Sequence, residues 1–266
     1  MKTCKDEVIA VLEVRNGIIS IRRTKEYDTR FVGIDTLLKY KSNYNNPVVM
    51  VTESPHVEEF RVSGVTDFTS KESIKSRPVN GVSGQNIMNH MVQLLNESQM
   101  SLSDGNYPLL VINALQEQCS QGVDPKHHRT KNFIKLWRIK KHLLAERLNA
   151  ICPALVICSC TTGDFYLDDN QSAYNSCDGI SFHQHFMNMM NNELDLFETK
   201  NDKVYSFLDS VDLSGLVLHV IHNVYIGSGI PILKTTHPAA WTYNNPTLKK
   251  YNDTEYKYEN ITICSR

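Results

Sequence analysis

Three short stretches carry residue types that can do chemistry at the end of an extended segment. Glu53-Ser54-Pro55-His56 directly follows the β-branched run VVMV at 48–51. Proline fixes the backbone and removes a donor, so the chain turns sharply there, with a carboxylate and a hydroxyl at the turn. Glu53, directly at the end of that run, is a candidate general base. Asn113 closes LLVIN at 109–113, and its amide offers one acceptor and two donors, the combination that reads a base edge. His237-Pro238 ends PILKTTH, where an imidazole can be neutral or cationic as its surroundings dictate. Each stretch also has a plain reading: a structural loop for the first, a tie between loops for Asn113, an ordinary loop residue for His237.

A second signal is electrostatic. Lys126, Arg129, Lys131, Lys135, Arg138, Lys140 and Lys141 fall between Pro125 and Lys141 with no acidic residue among them. Such a run can meet phosphates even in a chain of balanced charge, and it can equally be a solvated helix face. After His237 the chain continues AAWTYNNP, where Trp241 and Tyr243 can wedge into a duplex or stack on a base, or Trp241 can pack in the core. His127-His128, the HQH at 183–185 and the CSC at 158–160 lack the spacing and partner set of a zinc site, and no metal or other cofactor is expected.

The elements that must position these residues are legible from periodicity. EVIAVLEV and GIISIRR predict a hairpin around Asn16-Gly17, and a polar linker precedes Pro47. Strands are predicted over 48–51, 107–113, 154–159, 216–222 and 231–237. Helices are predicted from Gly84, carrying Ile87, Met88, Met91, Leu94 and Leu95 on one side, and over 131–149, carrying Phe133, Ile134, Trp137, Leu144 and Leu148. Residues 161–212 are rich in Asn and Asp and carry no clear period. Strands alternating with helices predict an α/β fold: a three-layer α/β/α arrangement with a mostly parallel central sheet. Ligands of such sheets bind beyond the carboxyl ends of the strands, where 53–60, 113–122 and 237–245 would lie.

The chain has 266 residues, and 28 Lys plus Arg against 29 Asp plus Glu exclude a uniformly basic, histone-like protein. Hydrophobic residues at 41% exclude generic disorder. The amino terminus has no apolar targeting core, and no apolar run approaches the length of a membrane span, so a cytoplasmic protein with no membrane partner is expected. Seven scattered cysteines without a CxxC pair read as reduced thiols. We expect a monomer with one domain over 1–266, bearing a variable N-terminal extension at about 1–45 and an insertion at about 161–212.

Taken together and in this order, the ESPH loop, the strand ending in Asn113 and the late His237-Pro238 loop resemble the uracil-DNA glycosylase superfamily. The likeness is closest to the bacterial and archaeal branches whose first motif reads Gly-Glu-x-Pro-Gly. RPVNGVSGQNIMNHMVQLL (77–95), with Gly81, Gly84 and Gln85, resembles their Gly-rich segment opening a helix, and the likeness covers about 47–160 and 216–241. Thr52 stands for the family's first glycine, His56 for the glycine after the proline, and Ser54 for the residue that handles the attacking water. Val79 falls near the aromatic position that stacks on a flipped base, which leaves Phe60 or Phe68 as substitutes and suits a larger base. Cys4 lacks the close partner that the iron–sulfur members need, so no cluster is expected.

The resemblance implies a uracil-DNA glycosylase-like fold and a monofunctional DNA glycosylase. Such an enzyme flips a nucleotide out of DNA and hydrolyses the bond from base to sugar, with uracil or a modified pyrimidine as the target. Asn113 would bond the base edge, His237 would stabilise charge on a base oxygen, and Glu53 or Ser54 would position water. DNA would be the partner, in repair or, for a modified cytosine, in defence against phage with altered DNA. The alternatives are a relative that binds a base or nucleic-acid end without cleaving, and an unrelated α/β hydrolase or nucleotide-binding protein. No nucleophile elbow or Walker loop is present to favour the last.

Overall fold

The computed structural model describes residues 3–23, 44–60, 78–79, 81–98, 100, 102–119, 125–163, 213–252 and 257–260. Eight strands form one sheet: β1 (Glu7–Arg15), β2 (Ile18–Arg23), β3 (Val48–Thr52), β4 (Gly105–Asn113), β5 (Leu155–Cys158), β6 (Ile232–Lys234), β7 (Lys249–Asn252) and β8 (Lys257–Asn260). Among the described residues three long helices accompany them, α1 (Val82–Glu97), α2 (Pro125–Asn149) and α3 (Leu213–Tyr225). Single 3-10 turns follow β3 at Val57–Phe60 and β6 at Pro238–Thr242.

The sheet order is β2-β1-β4-β3-β5-β6-β7-β8. Its centre, β4-β3-β5-β6, is parallel, while β1 and β2 on one side and β7 and β8 on the other are antiparallel. The sheet is therefore mixed, not mostly parallel as expected. Hairpins extend it at both edges because antiparallel neighbours need no crossover. Part of the N-terminal segment joins the sheet: β1 pairs with β4 from Glu7 to Val14. The predicted turn joins β1 to β2, with Asn16 and Gly17 both in the left-handed region that a tight hairpin requires.

The central strands are buried on both faces, and their alternation divides the core. Val49, Val51, Leu110, Ile112, Val156 and Cys158 face one cluster with Phe133, Trp137, Leu144 and Leu148 of α2 and the apolar side chains of α3. Val48, Met50, Leu109, Val111, Leu155 and Ile157 face the other, with Ile87, Met91, Leu94 and Leu95 of α1 and Trp241. Phe133 and Trp137 stack at 5.3 Å. The architecture is thus an α/β fold with a central mixed sheet flanked by helices.

One predicted strand is a helix. LVLHVIH at 216–222 lies inside α3, which is buried over nearly all of its length. Parallel β5 and β6 need a crossover between them, which a helix supplies and a further strand would not. Because α3 is apolar on almost every side, its period is visible only in His219 and Asn223, one turn apart and joined at 2.9 Å. The predicted helix at 131–149 begins earlier, with Pro125 opening α2.

Candidate functional site

The first, second and fourth parallel strands to appear along the chain all deliver a candidate residue to the same edge of the sheet. Thr52 and Asn113 are register partners at the ends of β3 and β4, and the chain stays paired past them: Ala114 N–H donates to the Thr52 carbonyl at 2.7 Å and Leu115 N–H to that of Glu53 at 3.0 Å. His237 comes from beyond β6, and its Nε2 lies 3.7 Å from Glu53 Oε2. The loop after β3 thus meets the end of β4 through its main chain and His237 through the Glu53 side chain.

Glu53 is 2% exposed and well supplied with partners. Its Oε1 lies 3.3 Å from Arg129 Nη1, and its Oε2 accepts from the Thr161 N–H at 3.3 Å. Arg129, expected on a DNA-binding surface, instead turns inward to this carboxylate. Two buried polar atoms of residues beside Glu53 make no hydrogen bond, Arg129 Nε and Thr161 Oγ1, and the buried Ser54 Oγ meets only the Cys119 thiol. The Cys119 thiol lies alongside Ser54, pushed up to about 12 by burial.

His237 caps the 3-10 turn. Its Nδ1 accepts from Ala239 N–H at 3.2 Å, and Pro238 supplies the fixed backbone angle of the first turn. With Nδ1 engaged as an acceptor, the proton of the neutral ring sits on Nε2, the nitrogen that faces Glu53. Burial pushes the imidazole below its ordinary range; Glu53 opposes this and the Arg129 guanidinium adds to it. The ring is a neutral donor, one fifth exposed at the rim.

Asn113 is 1% exposed. Its Oδ1 accepts from Thr52 Oγ1 at 2.7 Å and its Nδ2 donates to Glu59 Oε2 at 3.4 Å. Its backbone is held as firmly. Arg147, in the last turn of α2, donates to the carbonyls of Asn113 and Ala114, both at 2.9 Å, and grips both oxygens of Asp6 at 2.7 Å. Asp6 also accepts from the Asn113 N–H and from Gln116 Nε2. Burial raises the Asp6 carboxyl, against the pull of Arg147.

Glu59 is the residue that sequence reasoning missed. It sits in the turn after β3, accepts from the backbone N–H groups of His56 and Val79, and meets the Asn113 amide and the Cys4 thiol. Burial pushes its carboxyl up to about 8, so it is protonated at neutral pH. No spacing advertises it, because its partners come from β4, from the segment before β1 and from the 78–79 turn.

The remaining expected residues divide. Val79 is buried at a φ of 48°, a rare conformation for a β-branched residue, and its carbonyl lies against Gly84, where a Cβ would come within 2.2 Å of it. Phe60 is partly buried in the turn after β3, and Phe68 lies outside the described residues. Lys135 and Arg138 are exposed on α2, Lys140 pairs with Glu117, and the side chains of Lys126 and Lys131 are not among those described. Trp241 packs in the core, its Nε1–H donating to the Thr236 carbonyl at 3.0 Å and its ring set edge-on to His90, so it offers no free face to a base. Tyr243, by contrast, is 86% exposed. Asn86 of α1 fastens this loop through the Pro238 carbonyl and the Thr242 hydroxyl.

Among the described residues no group of three or more His, Cys, Asp and Glu could hold a metal ion, and no helix is long and apolar enough to cross a membrane. Cys158 and Cys160 are buried free thiols. No family model matches the chain, and neither a curated protein nor a solved structure is significantly similar to it.

Proposed function

We propose that the chain is a monofunctional DNA glycosylase, built on the uracil-DNA glycosylase plan, that hydrolyses the bond from a pyrimidine base to its sugar after flipping the nucleotide out of DNA. The observation that carries this reading is the meeting of Glu53 with a neutral His237 whose Nε2–H faces it, on the loop whose Thr52 and Glu59 hold the Asn113 amide. When the glycosidic bond breaks, electrons pass to the base and the sugar becomes cationic. A neutral imidazole donor can bond the base oxygen that gains charge, and a carboxylate can face the sugar; removing one such pre-aimed donor typically costs about 3–4 kcal/mol in the barrier. Thr161 Oγ1, beside the carboxylate and without a partner, and Ser54 Oγ, met by the Cys119 thiol, suit a water that attacks the sugar. Exposed Lys135 and Arg138 on α2 suit phosphates, and Tyr243 suits stacking.

A second reading, binding of a base or nucleic-acid end without cleavage, is favoured by the pairing of Glu53 with Arg129 and Thr161, which occupies both carboxylate oxygens.

Incubating the protein with uracil-containing, hydroxymethylated and glucosylated DNAs, then scoring abasic sites and released bases by mass, tests both. We expect His237→Ala and Asn113→Ala each to slow release by roughly 100-fold or more. Lys135→Ala should mainly weaken binding and reduce its salt slope by about 1. Binding without any abasic product selects the second reading. Full activity in both pocket variants removes the first.

A further inference from the structure

We propose that Glu59 fixes which way round the Asn113 amide stands, and so sets which pyrimidine edge the site accepts, making Glu59 a specificity-determining positioning residue. This rests on the glycosylase reading above.

A primary amide has four hydrogen-bonding positions, two lone pairs on Oδ1 and two hydrogens on Nδ2. Thr52 uses one lone pair and Glu59 one hydrogen. One acceptor and one donor remain, the complement of a pyrimidine edge. Uracil shows a donor at N3 and an acceptor at O4; cytosine shows an acceptor at N3 and a donor at N4. The two patterns are inverse, so an amide standing one way complements one base, and the same amide turned over complements the other.

Of the two inner contacts, only one resists the turn. Thr52 carries a hydroxyl that donates or accepts equally well, and therefore does not choose. Glu59 does. As a carboxylate it only accepts and must hold Nδ2; as an acid it can donate and hold Oδ1 instead. Its other bonds, from the N–H groups of His56 and Val79 and the thiol of Cys4, all bring hydrogens to it, which leaves the side toward Asn113 for the acid proton. The titratable groups around the cluster are Cys4, with Glu7 and Asp6 behind it, and Asp6 is itself paired with Arg147. Burial places the change of state of Glu59 at about 8, within reach of an ordinary titration.

The test measures release of uracil and of 5-hydroxymethylcytosine from single-stranded oligonucleotides between about pH 6 and 9.5. In the parent the ratio of the two rates should change at least tenfold through about pH 8, as loss of one bidentate match implies. Glu59→Gln, neutral throughout, should show a ratio flat with pH. Glu59→Leu should bring the ratio to within a few-fold of unity. A parent ratio that does not move, or one that moves identically in Glu59→Gln, overturns the proposal. If the parent releases neither base, the glycosylase reading fails by itself. The lock is then read by NMR from the ¹⁵N side-chain amide of Asn113, assigned through its loss in Asn113→Asp. That signal should titrate near pH 8 in the parent and not in Glu59→Gln; a signal constant over the whole range overturns the lock.

Discussion

Glu53 and Glu59 hang from the same loop beyond β3, and both are all but sealed from water, at 2% and 6% exposed. Glu53 is met by the Arg129 guanidinium, a backbone N–H and the edge of an imidazole. Glu59 is met by two backbone N–H groups, an amide and a thiol, none of them cationic. Burial penalises the charged form of any carboxylate, and at Glu59 it outweighs the hydrogen bonds that favour that form. Two acids of one loop are thereby given different chemical characters by the elements packed around them: α2 reaches in to one, and β4 with the N-terminal segment encloses the other.

The largest effect that separates them is a pH dependence of stability. The Glu59 carboxyl moves from 4.5 to about 8 on folding, so between those values the native state holds a proton that the unfolded state has lost. Stability therefore falls as pH rises through that window, by on the order of 5 kcal/mol in total. Urea unfolding of Glu59→Gln from pH 5 to 9 should lack this alkaline loss; the same slope in parent and variant would erase the distinction between the two acids.

Next comes Arg129→Ala, which strands Glu53 without its cation and should cost about 3–5 kcal/mol at neutral pH. Adding Glu53→Gln to that variant should recover most of the loss. No recovery would mean that Arg129 acts through packing.

The smallest of the three tests extends the comparison to a buried base. His222, on α3, is pushed down to about 4 by burial, with His219 adding to the effect. Its unfolded counterpart binds a proton near 6.5, so stability is lost as pH falls from there toward 4, by roughly 3 kcal/mol. His222→Gln should flatten the acid limb of the unfolding profile and leave the alkaline limb alone.

These contrasts also mark where the sequence is transparent. The central strands β3, β4 and β5 are evident as short β-branched runs, and α1 and α2 as amphipathic patterns, because each has a period that survives burial. α3 is not evident: His219 and Asn223 are too few to outline a helical face against Val217, Val220 and Ile221. At the site, the three strand-end motifs identify Glu53, Asn113 and His237 because strand ends are where loops must meet. Asp6 and Arg147 are separated by 141 positions, and a buried charge pair at that distance leaves no local trace. The basic run likewise concealed a division of labour: Arg129 turns inward while Lys135 and Arg138 face solvent, which helical phase decides only once the packing of α2 is known.

Both ends of α2 hold the site, Arg129 through the acid and Arg147 through the main chain of Asn113. A helix moves as a stiff rod, so tilting or sliding it would drag both attachments at once. The helix works like a yoke, and a load applied to its outer side chains midway is shared between the two harnessed groups.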